Sequence, residues 1–434
     1  MPPRPVSTLS FPAAVGLWWR IGWISFGGPA AHIAILHREV IEKRGLLDEA
    51  RFLRALNFCM LLPGPEAQQL ATYLGWLLHG VRGGLAAGIL FVAPGALVMA
   101  LLSILYVELG DLKAVAGLFF GLKAAVLALV VLALKRIAAR ALGRRGAKTL
   151  AVCAFVALFA LRLPFPLVLA AAGLFGALTS RGGPRAEPQA ERRPDEVRAA
   201  RGARRAAAVA LVLWLLPLLG LPLALGPEHV LAEQARFFSG AALVTFGGAY
   251  AVLSYISAAA VERFQWLTTP QMVDGLGLAE TTPGPLILVV QFVGFVAAYQ
   301  QPSGLPPLLA GLLGAAVTLW VTFAPCFLWI FLGAPSIERL TGRPRLEGAL
   351  AAITAAVVGV IANLFLTFGL HVLFGELTTR HFGPLSLPVP AWSSLDPYAL
   401  GLAVAAALAL LRGVHLGWVL CAAAALGALA RLAL

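Results

Sequence analysis

The sequence predicts an all-α, polytopic membrane protein: two homologous halves forming an inverted-topology repeat, each with broken or re-entrant helices. Composition, a set of long apolar runs and an internal repeat carry that prediction. Of the 434 residues, 60% are apolar and 12% charged, and the mean hydropathy is +0.87, far from the composition of a soluble domain. The runs 83–107, 114–134, 206–226, 304–332 and 348–372 are each long enough, at about 1.5 Å per residue, to cross about 30 Å of hydrocarbon. Period-two barrel strands are absent, so the spans read as helices. The first 30 residues lack a short apolar core followed by a small-residue cleavage site, so no removable signal peptide is expected.

The repeat is read from paired motifs. SFGGPAAHIAIL at 25–36 matches TFGGAYAVLSYI at 245–256, an offset of 220 that also lays Pro63-Gly64-Pro65 on Pro283-Gly284-Pro285 and Glu42 on Glu262. After an eleven-residue insertion, Pro94 falls on Pro325 and Lys123 on Thr354. Two rare motifs and a glutamate sharing one offset point to duplication rather than chance.

Charge gives the orientation. The net charge of +13 is concentrated in short loops at 37–54 and 135–148 and in the Pro-, Gly- and Arg-rich stretch 181–205. Lys and Arg beside spans mark the cytoplasmic side, so the charge is a topology signal and not a nucleic-acid surface. Each basic loop faces a charge-poor counterpart in the other half, as opposite orientation requires. The expected organisation is an N-terminal repeat over 1–180, a basic cytoplasmic linker over 181–205, a connecting transmembrane helix over 206–228, and an inverted C-terminal repeat over 229–434.

For loops 37–54 and 135–148 to share a side, the chain between them must cross an even number of times. That favours a re-entrant hairpin over 52–79 with Pro63-Gly64-Pro65 at its tip and limbs of about 11 and 14 residues; one kinked span is the alternative. Segment 11–36, broken at Gly27-Gly28-Pro29, either spans or re-enters.

Non-helical backbone at membrane depth persists only where protein or a watery cavity satisfies it. In transporters built from inverted repeats, such breaks bind the substrate near the midplane. A helix restarting after a break presents free N–H groups and its positive dipole end, which together suit an anion. The candidate substrate residues are therefore Gly27, Gly28, Pro29, Pro63, Gly64 and Pro65 in the first half, and Gly247, Gly248, Pro283, Gly284 and Pro285 in the second. Gln68 and Gln69 add amide donors; their counterparts Leu288 and Val289 cannot. Lys123, inside an apolar run, either pairs with the anion or snorkels. Arg20 and His32 either meet the anion or sit at an interface. Glu66 and Glu280 are proton-coupling candidates, because a dehydrated carboxyl can change charge with occupancy of the site; Glu66 has a plainer reading as an acid at a helix N-terminus.

Cys59, Cys153, Cys326 and Cys421 stand singly, and CxxC, HExxH and phosphate-loop motifs are missing. No metal, cofactor or ATP hydrolysis is expected, and no nucleophile–base pair suggests an enzyme.

At these residues the chain resembles the chromate ion transporter family, specifically its long two-domain members. The likeness runs through WISFGGPAAHIAILHREVIEKRGLLDEARFLRALNFCMLLPGPEAQQLATYLGWLLHG, GILFVAPGAL, GLKAAVLALV, GLAETTPGPLILVVQFVGF and AAITAAVVGVIANL. It implies a bacterial inner-membrane protein exporting chromate on an ion gradient or membrane potential, with two halves of opposite topology. One departure, Ala249 where the first half has Pro29, argues against a fully two-fold site. The partners expected are chromate, with sulfate as a related tetrahedral dianion, and the lipid bilayer; a homodimer is a candidate assembly. Alternative readings are a sulfate or oxyanion uptake transporter and an anion channel. Transport is expected to alternate as one repeat rocks against the other.

Overall fold

The structure, a computed structural model, describes residues 9–110, 112–144, 146–180, 194–246, 249–336, 344–383 and 385–433. Gly247, Gly248 and linker residues 181–193 lie outside the described residues. The first half contains α1 (Phe11–Ile24), α2 (Gly28–His37), α3 (Glu49–Cys59), α4 (Glu66–Leu109), α5 (Lys113–Ala141), α6 (Ala147–Phe159) and α7 (Phe165–Thr179). Then follow α8 (Pro194–Leu225), α9 (Val230–Leu243), α10 (Ala249–Ala258), α11 (Thr269–Thr281), α12 (Val289–Gln300), α13 (Pro307–Gly333), α14 (Pro344–Leu373), α15 (Pro397–Leu411) and α16 (Leu416–Ala433). Displaced by 220 residues, α1, α2 and α3 fall on α9, α10 and α11, and the start of α4 falls on the 3-10 turn Leu286–Leu288 that leads into α12.

The five predicted runs each lie in a helix long and apolar enough to cross a membrane: α4, α5, the 200–225 part of α8, α13 and α14. Large apolar side chains such as Leu216, Leu219 and Leu223 remain exposed on α8, as expected where lipid is the solvent.

Helix α4 is not one straight rod. His79 (φ −139°) and Gly80 (φ +60°) leave helical geometry, and the chain turns back on itself. A Cβ on Gly83 would then strike the carbonyl oxygen of Gly75, and one on Gly88 the hydroxyl of Thr72. The predicted limbs over 52–79 are thus present as α3 and the first limb of α4, meeting at Pro63-Gly64-Pro65. α12 and α13 cross just as closely, Gly294 against Gly314. Small residues allow such approach where packing rather than water exclusion holds helices together.

Two features differ from the sequence reading. α8 begins at Pro194, inside the stretch read as linker, because PDEVRAARGARR combines proline at the first helical position with strong helix formers. The 371–396 loop carries an antiparallel hairpin, β1 (Leu377–Phe382) with β2 (Leu385–Pro390), which turns at Gly383 (φ +61°). Its strands are too short to span a membrane.

Two compact units make up the chain. Unit 1 comprises residues 1–101, 184–249 and 282–343; unit 2 comprises 102–183, 250–281 and 344–434. In unit 1, α13 packs on α8, α9 and α12; in unit 2, α5 packs on α11, α14, α15 and α16. Each unit therefore draws on both halves. Rocking of one whole half against the other is not the division this packing gives.

Candidate functional site

The breaks converge within unit 1. α1 ends at Ile24, the backbone passes through Gly27 (φ +91°), and Gly28 (φ +80°) with Pro29 opens α2. α3 ends at Cys59 and α4 restarts at Glu66; between them Gly64 has φ +125°, a conformation that a side chain would strain. Gly284, at φ +91°, makes the equivalent bend between Pro283 and Pro285.

These breaks hold one another across the halves. The Gly64 N–H donates to the Thr245 carbonyl at 2.8 Å, and the Gly284 N–H donates to the Ser25 carbonyl at 2.6 Å. Under the 220-residue offset, Gly64 corresponds to Gly284 and Ser25 to Thr245, so these are one contact made twice with the partners exchanged. Such reciprocity is the mark of a two-fold relation. The next layer repeats it. A Cβ on Gly284 would lie 3.7 Å from the Cα of Gly95, and a Cβ on Gly64 would lie 2.9 Å from the Sγ of Cys326, the aligned counterpart of Gly95.

Three helix starts surround these contacts: α2, α4 and the turn before α12. The first N–H groups of a helix have no intrahelical acceptor. Among the buried side-chain atoms left without a hydrogen-bond partner in the same unit are His32 Nε2, Gln68 Oε1, Gln69 Oε1, Gln291 Oε1 and Thr322 Oγ1. Most buried polar groups in proteins are hydrogen-bonded, so a cluster of this kind sets the region apart from ordinary packing. The backbone donors, with the Thr322 hydroxyl and a protonated His32 Nε2, can take a small polyoxygen anion, whereas the three glutamine oxygens are acceptors and cannot.

Several expected residues behave differently from their sequence reading. Gln69 Nε2 donates to the Pro63 carbonyl at 2.7 Å and Gln68 Nε2 to Thr72 Oγ1 at 3.1 Å. Each amide nitrogen is thus committed locally, so donation to an anion requires the amides to turn over. His32 is buried and stands edge-on to Phe91 at 5.8 Å. Arg20 is exposed beside exposed Trp19 and Trp23, which suits a membrane interface.

Lys123 belongs to unit 2, where its Nζ is 3.0 Å from Asp274 Oδ1. Tyr106 donates to Asp274 Oδ2, also at 3.0 Å. Glu280, buried near the end of α11, accepts a 2.6 Å hydrogen bond from Tyr250. Sequence reasoning singled out Lys123 and Glu280 but missed Asp274, Tyr106 and Tyr250. Asp274 was findable by the criterion that found Lys123, a lone charge in an apolar segment.

At the connection from α2 to α3, in the basic loop outside the spans, Glu39 is fully buried and receives Lys43 and Arg44 at 2.7 Å each. Burial alone would raise its pKa, but the hydrogen bonds and charges of Lys43 and Arg44 overcome this and hold it at about 2. His37 bonds Glu49 at 2.8 Å and Glu42 at 3.0 Å; the Glu49 hydrogen bond first, then the two carboxylate charges and the Glu42 bond, raise its pKa against a partial loss of solvation.

A family model described as Chromate transporter matches residues 13–177 and 232–428. A chromate transport protein of Pseudomonas aeruginosa is 34% identical over 361 residues, covering 81% of this chain and 80% of that protein. A chromate transport protein of Cupriavidus metallidurans is 28% identical, covering 79% of each chain. A probable chromate transport protein of Synechococcus elongatus is 26% identical, covering 86% of this chain and 88% of its own. No solved structure gives a significant match.

Proposed function

The chain belongs to the chromate transporter family, a family of membrane transporters rather than enzymes, and from that premise we propose that it exports chromate from the cytoplasm across a bacterial inner membrane as a secondary active transporter. The observation that carries the mechanism is the reciprocal pairing of breaks, Gly64 with Thr245 and Gly284 with Ser25. It supports one shared pocket in which the dianion meets the amide ends of α2, α4 and the turn before α12 near the midplane. Gly27, Gly28, Pro29, Pro63, Gly64, Pro65, Pro283, Gly284 and Pro285 shape the pocket, and the Gly247-Gly248 pair completes the pattern by its sequence equivalence to Gly27-Gly28. Gln68 and Gln69 turn their amides onto the anion.

Lys123 serves as a cation on the route, and Glu66 and Glu280 are the coupling carboxylates proposed alongside it. The halves have opposite topology, with α8 as the odd crossing that inverts the second, and the 181–205 linker is cytoplasmic.

The test is purified full chain in liposomes, measuring chromate flux against sulfate competition with and without an imposed pH gradient. Coupled chromate flux with which sulfate competes is the expected result, since both are tetrahedral dianions of similar size. Large unitary currents without coupling would replace the transporter by a channel, and sulfate uptake in preference to chromate efflux would reverse the assignment.

A further inference from the structure

Unit 2 holds a buried charge arrangement for which anion export by the breaks alone has no use. Asp274 on α11 has a side chain only 7% exposed, yet it carries an ion pair with Lys123 of α5, whose side chain is 23% exposed. Its second oxygen is occupied by the Tyr106 hydroxyl at the end of α4. Lys123 and Tyr106 are the titratable groups set directly against Asp274 among the described residues. Glu280 follows six positions later on α11, engaged with Tyr250, and Arg136 lies close enough to Tyr250 to act on it electrostatically.

Three properties set the pair apart from a packing device. It joins the halves, since Lys123 and Tyr106 come from the first and Asp274 from the second. It has no two-fold copy: the counterpart of Lys123 is Thr354 and that of Asp274 is Arg54. In a duplicated architecture, a pair present in one arrangement only is a specialisation and not part of the repeated frame. Finally, an ammonium in a membrane interior needs an anion beside it at all times. A dianion that reaches Lys123 would compete with the Asp274 carboxylate for the same cation.

We propose that Asp274 is a tethered substitute for the transported oxyanion, and that the dianion displaces it from Lys123 while Asp274 takes up a proton from the same aqueous side. In the empty protein the pair is internally neutral. In the loaded state the Lys123 ammonium faces the dianion, and Asp274 is a neutral acid still hydrogen-bonded to Tyr106. When the anion leaves, Asp274 releases its proton to the side that receives the anion and re-forms the pair. Proton and dianion then travel in the same direction, and one net negative charge moves per dianion. An inside-negative membrane potential drives that charge outward. The proposal rests on the oxyanion-transport reading above and adds to it the residue that links occupancy to protonation.

The experiment uses the full chain in liposomes with the membrane potential clamped. Chromate–chromate exchange at equal pH on both sides is compared with net chromate flux driven by a pH gradient. In the wild type, net chromate flux is expected to follow the direction of proton flow. Asp274→Asn should keep exchange within about twofold while pH-driven flux falls at least about tenfold, because exchange needs no net proton step. Lys123→Gln should lose both. The reversed pair, Lys123→Asp with Asp274→Lys, should fold, judged by thermal melting, and still lack pH-driven flux. If Asp274→Asn fails to fold, Tyr106→Phe keeps the ion pair, removes the hydrogen bond to Asp274, and is expected to lower pH-driven flux more than exchange.

Retained pH-driven flux in a folded Asp274 variant, or its rescue by the reversed pair, would make the ion pair structural and overturn the proposal, as would chromate moving against the proton flow. Those outcomes leave chromate transport itself standing. A wild type that moves no chromate overturns the proposed function and this inference together.

Discussion

The two Pro-Gly-Pro turns have the same backbone and different chemistry. Gly64 and Gly284 both sit at positive φ, both precede a helix start and both donate to the residue before the partner half's Phe-Gly-Gly break. After the first turn come Glu66, Gln68 and Gln69; after the second come Leu286, Leu288 and Val289. The layer behind them differs too, Cys326 against the first turn and Gly95 against the second. Duplication preserved what shapes a pocket, the bend and its cross-half hydrogen bond. The side chains that discriminate or carry protons were free to diverge, so a site with two-fold geometry can bind asymmetrically.

The largest effect is expected from forcing the second turn to copy the first. A Cβ at residue 95 would drive into the carbonyl oxygen of Pro283, and backbone cannot step aside as a flexible side chain can. Gly95→Cys is therefore expected to abolish transport and to prevent stable folding. The reverse copy, Cys326→Gly, should fold and cost about 1–2 kcal/mol for the buried atoms removed, read as a modest fall in melting temperature. Equal tolerance of both would break the comparison.

Next in size is converting the chemistry of the first turn to that of the second. Gln69→Leu leaves the backbone turn but removes the 2.7 Å bond to Pro63 and an amide from the pocket. Chromate affinity is expected to fall about tenfold, since a lost hydrogen bond to a charged group is worth about 1.5–3 kcal/mol. Titration of purified protein checks it, and unchanged affinity would take Gln69 out of the site.

How far this contrast could be read in the sequence varies by level. The five runs and the 220-residue repeat were legible because apolar length and rare Gly-Pro strings need no tertiary context. The turn over Pro63-Gly64-Pro65 was legible from loop-charge parity. The reversal at His79-Gly80 falls between the predicted hairpin over 52–79 and the run 83–107, but the close packing of its limbs, Gly83 on Gly75 and Gly88 on Thr72, was not legible. Nor was the division into units that mix the halves, which depends on contacts between distant segments. The Gln68 and Gln69 side chains were identified, but not that each keeps its NH2 group at home. Lys123 stood out and Asp274 could have by the same lone-charge criterion, but that the two pair was not legible, since a contact across 151 positions leaves no local pattern.

A smaller effect separates the π-helical turns Arg38–Glu42 and Ala259–Arg263. Glu39 holds Lys43 and Arg44, whereas the second half has Ala259. Its folded pKa of about 2 lies below the ordinary 4.5, so its contribution is fully present above 4.5 and disappears as pH falls through 2. Glu39→Ala is expected to cost about 1–2 kcal/mol at neutral pH, discounted because Lys43 and Arg44 are partly exposed. Thermal melts should show the difference from wild type vanishing at the acid end.

The smallest effect belongs to His37, whose counterpart is Ser257. Its pKa is raised from 6.5 by Glu49 and Glu42, so its stabilisation is complete below 6.5 and is lost as pH rises through the raised value. His37→Gln should melt like wild type in alkali and slightly lower than wild type near pH 6. A difference that grows with pH would contradict the assignment.

The most direct test of the shared pocket is an electron cryomicroscopy map of the full chain in lipid with chromate bound. The account predicts tetrahedral density within hydrogen-bonding distance of the amides that open α2 and α4, between the Gly64 and Gly284 turns. Chromate resolved only on the basic loops at 37–54 or 135–148, with both turns closed and dry, would contradict it.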